Sequence, residues 1–394
     1  MTFVSSCDSA TDSSLTLRIG KSDNLALAHH LESGLLMYSM PVESREQGVL
    51  TIRVLIAIAS MLFLTLAQAQ TVSLKIHHPL PVSSTVHQQV LLPWCDSIAA
   101  QSKDRLRCQI FPSMQLGGTV PQLIDQVEDG VVDIIWTLPG YSPGRFPRTE
   151  VFELPFMIRD AEAASRALWD YVHRYDMEEF SAMKVLALHV HGGGVFHTVD
   201  RPITRQRDLR GMKMRAPTRQ TTRFMAILGS TPVGMPVPQV PEALAKGVID
   251  STLLPYEVMP ALKVDELTRY HSEPGPDQPK IYTSVFVFGM NKSRYDSLPP
   301  ELKKVIDANS GIELSARMGR IFGEAEVINR KTLPPDSINI ISATEIQKWE
   351  KLGEPIVDAW VRDISKGGDD GTALLQAARR LIGDYQTQVA LERD

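Results

Sequence analysis

The feature that most constrains this 394-residue chain is an internal repeat at an offset of 117 residues. Gly117-Gly118-Thr119-Val120-Pro121-Gln122-Leu123 leads to Gly130-Val131-Val132-Asp133. Gly234-Met235-Pro236-Val237-Pro238-Gln239-Val240 leads to Gly247-Val248-Ile249-Asp250, and seven of 17 aligned positions are identical without a gap. In each copy a proline suits the first turn of a helix, where its missing N–H is not needed, and a glycine suits the left-handed position that ends it. The β-branched pair that follows opens a strand. Two homologous α/β lobes with a cleft between them are the reading that fits; a local supersecondary motif used twice is the weaker alternative.

The flanking pattern agrees. Val72, Leu74 and Ile76 alternate with Ser73 and Lys75 as a first strand, and Val90, Leu91, Trp94 and Ile98 recur at helical spacing, with Pro93 starting or kinking that helix. Residues 106–111 and 131–136 read as the next strands, so strand and helix alternate as in a largely parallel sheet. After Pro299-Pro300 the apolar residues of 301–331 predict one long helix, or a kinked one, able to bridge both lobes. Shorter helices follow at about 343–366 and 371–389.

With 43% hydrophobic and 22% charged residues the chain can bury a core, and a net charge of −5 argues against nucleic acid as a partner. Arg53, the apolar run Val54–Leu66 and the triplet Ala67-Gln68-Ala69 make a secretory signal cleaved after Ala69. Thirteen apolar residues are too few to span a bilayer as a helix. Residues 1–48 precede this signal as a mis-called start or a disordered leader. The expected organisation is therefore 49–69 signal peptide, 70–192 with about 281–318 as lobe I, and about 193–280 with about 319–394 as lobe II. A periplasmic location follows.

Motifs for chemistry are weak. Gly140-Tyr141-Ser142-Pro143-Gly144 matches a nucleophile elbow and His191-Gly192-Gly193-Gly194 an oxyanion loop. Their order is reversed, however, and Pro143 has no N–H to give an oxyanion. His189, His191 and His77 would have to converge with further ligands to hold a metal, and no Asp, Glu or Cys lies at a recognisable spacing with them; no cofactor fingerprint is present either. Cys95 and Cys108 are 13 apart and fit either a disulfide or two buried thiols. In Asp208-Leu209-Arg210-Gly211-Met212-Lys213-Met214-Arg215-Ala216-Pro217 the alternation places Arg215 at a strand's end, just before Pro217 stops pairing. Ligands of open α/β sheets bind outside such ends, and a guanidinium there suits a carboxylate, although an ordinary surface arginine would look the same.

Several segments together resemble the solute receptors of tripartite ATP-independent periplasmic (TRAP) transporters, the DctP-like family. They are Gln115-Leu116-Gly117-Gly118, Gly130 with Asp133, Phe152-Glu153-Leu154-Pro155-Phe156, the Asp208–Arg215 run, Pro241-Glu242-Ala243-Leu244 with Gly247-Val248-Ile249-Asp250, and Ser297-Leu298-Pro299. The resemblance implies a two-lobed α/β solute-binding protein with a long helix spanning both lobes and Arg215 as the carboxylate-binding residue. Its partners would be a small organic acid and the small and large permease subunits, DctQ-like and DctM-like; no catalysis, cofactor or metal is implied. Two positions depart from many relatives: Gly194 stands about where a second cleft arginine occurs, and Leu254 where an asparagine precedes a proline. The pocket should thus be less polar, with Trp136, Phe196, Leu254 and Tyr256 as walls and Tyr141 and His77 as further contacts. A monocarboxylate, an aromatic or branched 2-oxo or 2-hydroxy acid, is the expected ligand. A secreted two-lobed metal-dependent enzyme and the binding protein of an ABC-type importer are the alternatives.

Overall fold

A computed structural model describes residues 71–393; the upstream segment 1–48 and the signal at 49–69 lie outside the described residues. Eleven strands are formed among the described residues: β1 (Val72–His77), β2 (Leu106–Phe111), β3 (Ile134–Thr137), β4 (Met183–Val190), β5 (Val195–Thr198), β6 (Lys213–Ala216), β7 (Thr231–Gly234), β8 (Ser251–Leu254), β9 (Tyr270–Pro274), β10 (Val285–Asn291) and β11 (Ile338–Ile341). They make two sheets, one per lobe, in the orders β2-β1-β3-β10-β4 and β11-β9-β5-β8-β6-β7. Each has a parallel centre, β2-β1-β3 in one and β7-β6-β8 in the other, flanked by an antiparallel strand that arrives from the other lobe's side of the chain, β10 or β5.

The helices are α1 (Leu92–Gln101), α2 (Leu123–Glu128), α3 (Ala161–Tyr175), α4 (Arg219–Leu228), α5 (Val240–Ala245), α6 (Lys292–Asp296), α7 (Pro300–Ala308), α8 (Ile312–Arg330), α9 (Ala343–Lys366) and α10 (Gly371–Arg393). The repeat holds residue for residue. A 3₁₀ turn at Val120–Gln122 leads into α2 and then β3; the same turn at Val237–Gln239 leads into α5 and then β8. Gly130 and Gly247 take φ of +72° and +66°, the conformation the pattern required. The strands begin three residues later than the β-branched pairs, and Val131 and Val248 are exposed turn residues.

The expected helix over 301–331 is broken. Asn309-Ser310-Gly311 intervenes, with Gly311 at φ +100°, so α7 and α8 are separate. The bridge between lobes is shared by two helices. The first half of α8 packs on α3 and β4, while Asn329 at its end donates to the carbonyls of Tyr256 and Glu257. In α9, Trp349 lies edge-on to Phe196 of β5 and Trp360 donates to Pro147 O of the first lobe. The division at residue 319 also needs correction, because α10 packs on α3: Tyr385 donates to Asp170 and Arg393 pairs with Asp160. Burial of apolar helix faces, rather than chain order, decides which lobe carries a C-terminal helix.

Cys95 on α1 and Cys108 on β2 form a disulfide, with Cα atoms 5.7 Å apart. No helix among the described residues is long and apolar enough to cross a membrane.

Candidate functional site

Strand ends from both lobes line one tight cavity, walled by Trp136, Tyr141, Arg215, Leu254, Tyr282 and Phe286. Arg215 projects into it from the end of β6 and is 2% exposed. Its Nε donates to Met235 O (3.0 Å), Nη1 to Leu253 O (2.8 Å) and Nη2 to the Tyr141 hydroxyl (3.4 Å). A guanidinium has five N–H bonds. Two remain, one on each Nη, enough for both oxygens of a carboxylate to accept from the same guanidinium. Among the described residues no carboxylate pairs with Arg215, so a positive charge is buried without a counter-ion.

Tyr141 completes this corner from the first lobe. Its oxygen also accepts the Val237 N–H at 3.0 Å, and with both acceptor positions used the phenol proton is left to donate elsewhere. Burial, against the opposing pull of Arg215, raises its pKa, so the group remains a donor. The 3₁₀ turn that carries Tyr141 is the stretch with the elbow-like spacing. Its glycine is needed for packing: a Cβ on Gly140 would lie 2.8 Å from Thr218 Cγ2 and 3.0 Å from Glu153 Oε1.

One wall is an aromatic stack. Trp136 lies flat on Phe286, with centroids 4.8 Å apart and planes 12° apart, and Phe286 in turn lies on His189. Trp136 Nε1 donates to His189 Nε2 at 2.9 Å and His189 Nδ1 faces Val190 O at 3.2 Å, which fixes the tautomer. His191 accepts the Ser284 N–H at Nε2. Burial, with smaller contributions from His189 and Arg215, lowers its pKa to about 3, and burial does the same to His189. Both rings are neutral and occupied.

Leu254 lines the cavity beside Pro255. At Gly194 a Cβ would fall 1.7 Å from Tyr282 Cε1. Tyr282 thus covers the glycine and faces the cavity where a second arginine would project. Sequence reasoning missed Tyr282, Phe286 and Glu257. Tyr282 sits in the irregular crossing at 275–284, which has no periodicity to read.

Three expected contacts lie elsewhere. Phe196 points to the outer face of its sheet against Trp349. Tyr256 packs edge-on to His197, 5.4 Å away, behind the cavity wall. His77 bonds Gln126 Oε1 at 2.7 Å and takes the Leu116 N–H. Its place is informative: β1 and β3 align His77 with Ile135, while β6 and β8 align Arg215 with Thr252, the repeat partner of Ile135. His77 is therefore the counterpart of Arg215 in the first lobe, turned into that lobe's own loop. The histidines considered for a metal are not gathered, and no group of three or more His, Cys, Asp or Glu among the described residues could hold one.

Two α/β lobes closing on one buried guanidinium define a solute-binding protein. The family model for bacterial extracellular solute-binding protein, family 7 (DctP), matches residues 76–363, and the chain belongs to that family. A TRAP solute-binding protein of Rhodoferax ferrireducens, solved with copurified benzoate, is 48% identical, with a TM-score of 0.79 over 81% of this chain and 100% of that one. A marine-metagenome TRAP solute-binding protein described as specific for aromatic acid ligands, solved with 3-hydroxybenzoate, is 43% identical, with a TM-score of 0.78 over 80% and 99%. The C4-dicarboxylate-binding periplasmic protein of Rhodobacter capsulatus is 24% identical over 281 residues, 68% of this chain and 80% of that protein. This chain is accordingly a TRAP-type receptor for a small organic acid.

Proposed function

We propose that this protein captures an aromatic monocarboxylate in the periplasm and delivers it to the small and large permease subunits of a TRAP transporter, without chemical change to the ligand. The observation that carries the reading is the buried Arg215 guanidinium with two free N–H bonds and no carboxylate partner among the described residues. A buried charge of this kind is costly until an anion pairs with it. The remaining wall suits an apolar ring, since Trp136 and Phe286 offer a stacked face and Leu254 and Tyr282 replace groups that would bind a second charge. Among the described residues Arg215 is the only lysine or arginine on the cavity wall, whose other ionisable groups include the acid Glu257. A dicarboxylate would leave its second charge unpaired at a cost of several kcal/mol. The relatives solved with benzoate and 3-hydroxybenzoate support the same ligand class, and the disulfide suits an oxidising compartment.

Isothermal titration calorimetry with benzoate, mandelate, succinate and malate tests the reading. Tighter binding of succinate or malate than of either aromatic acid would overturn it.

A further inference from the structure

We propose that Glu257 is a specificity-determining residue that receives a hydroxyl on the ring of the bound acid, so that hydroxylated aryl carboxylates bind in preference to the bare ring. The proposal rests on the ligand class given above and concerns the part of the cavity that Arg215 does not serve. Glu257 follows Pro255 out of β8, lines the cavity and is 3% exposed. Its Oε1 has no hydrogen-bond partner among the described residues. The charge of Arg215 is felt by Tyr141, His191 and Tyr282, whereas Glu257 responds to its own burial and to the Thr85 hydroxyl. Among the described residues no hydrogen bond or ion pair joins Glu257 to Arg215, so the acid does not serve as its counter-ion.

A carboxyl group so placed is a mismatch for a plain aromatic ring. Burial pushes its pKa up to about 7, so at pH 6.5 the protonated form predominates, and in that form it presents one donor and one acceptor. An apolar C–H edge satisfies neither, and an unsatisfied buried polar group is penalised. A phenolic hydroxyl has both complements. Sites built around such a group discriminate strongly against the analogue that lacks it, because the site's own polar atom is left bare. Pro255 and Val258 are the other residues of this loop on the wall, so Glu257 is the polar side chain that it contributes to the cavity.

Calorimetry at pH 6.5 with benzoate, 3-hydroxybenzoate and 4-hydroxybenzoate on the wild type, Glu257→Met and Glu257→Gln decides it, with circular dichroism melts to show that each variant is folded. The wild type should prefer at least one hydroxybenzoate over benzoate by about tenfold or more. Glu257→Met should abolish that preference while leaving benzoate affinity the same or higher, and Glu257→Gln, which still offers a donor and an acceptor, should keep most of it. Equal affinities in the wild type, or an equal loss for all three acids in Glu257→Met, would overturn the assignment. Should the wild type bind none of the three acids but a dicarboxylate instead, the ligand class itself falls, and this proposal with it.

Discussion

Three of the N–H bonds of Arg215 end on protein oxygens, and this anchoring aims the other two. Removing the guanidinium in Arg215→Ala should cost an aryl carboxylate about two to four decades of affinity, because the carboxylate would be buried without its partner. Arg215→Lys should also bind weakly, since an ammonium cannot supply a planar fork. Calorimetric affinity within threefold of wild type for either variant contradicts the assignment. Tyr141→Phe leaves the Val237 N–H and one guanidinium N–H without an acceptor; it should weaken binding about tenfold, measured the same way. The place of Arg215 at a strand end was legible in the alternation and Pro217, but its role was not, since a surface arginine shows the same pattern and only the family resemblance separated the two. The places of Phe196 and Tyr256 were not legible: β5 is buried on both faces, and apolar character alone cannot say which face meets the cleft. Glu257 was hidden for a different reason, because a lone acid in a loop has no pattern.

Among the elements, the repeat carried most of the fold. Its prolines and glycines are stereochemical requirements, so they survive as signals where the packing residues differ. Yet the two copies are unequal in front of it: 39 residues separate β1 from Gly117, and 17 separate β6 from Gly234. The longer copy holds the disulfide, which closes the β1-side layer by joining α1 to β2. By loop length the bridge should be worth about 3 kcal/mol. Cys95→Ala with Cys108→Ala should therefore lower the denaturation midpoint by several degrees, and reductant should do the same to the wild type; a thermal melt unchanged by either would contradict this. The break between α7 and α8 lies at Asn309-Ser310-Gly311, which an argument from the apolar stripe alone passes over. That stripe continues because α7 and α8 each bury a face, not because they are one helix.

Across the whole molecule, buried acids set an unusual pH response. Glu153 accepts the Val285 N–H, and burial, reinforced by Glu150, raises its pKa to about 8; burial also raises Glu326, with Glu257 adding to it. A carboxyl raised on folding contributes stability that is full below its unfolded pKa near 4.5 and lost as pH climbs through the folded value. The buried histidines have lowered values and oppose this only below their unfolded pKa of about 6.5. Between pH 6.5 and 8 the acids act alone, so the melting temperature should fall. Glu153→Gln should flatten that fall, each group contributing up to about 1.4 kcal/mol per pH unit. A flat or rising wild-type melting temperature over that interval, by scanning calorimetry, rules the account out.

The same frame is used twice, but only one copy ends its equivalent strand in a charge; the other ends in His77, occupied within its own lobe. On the proposed reading, such a receptor sorts its ligands as a two-part label. One half, through Arg215, checks only that an acid is present, and every accepted molecule presents the same end to it. The other half, through Trp136 and Phe286, meets the part that differs from one acid to the next. Changes at those aromatic positions would re-rank the acids among themselves, whereas a change at Arg215 would weaken all of them together.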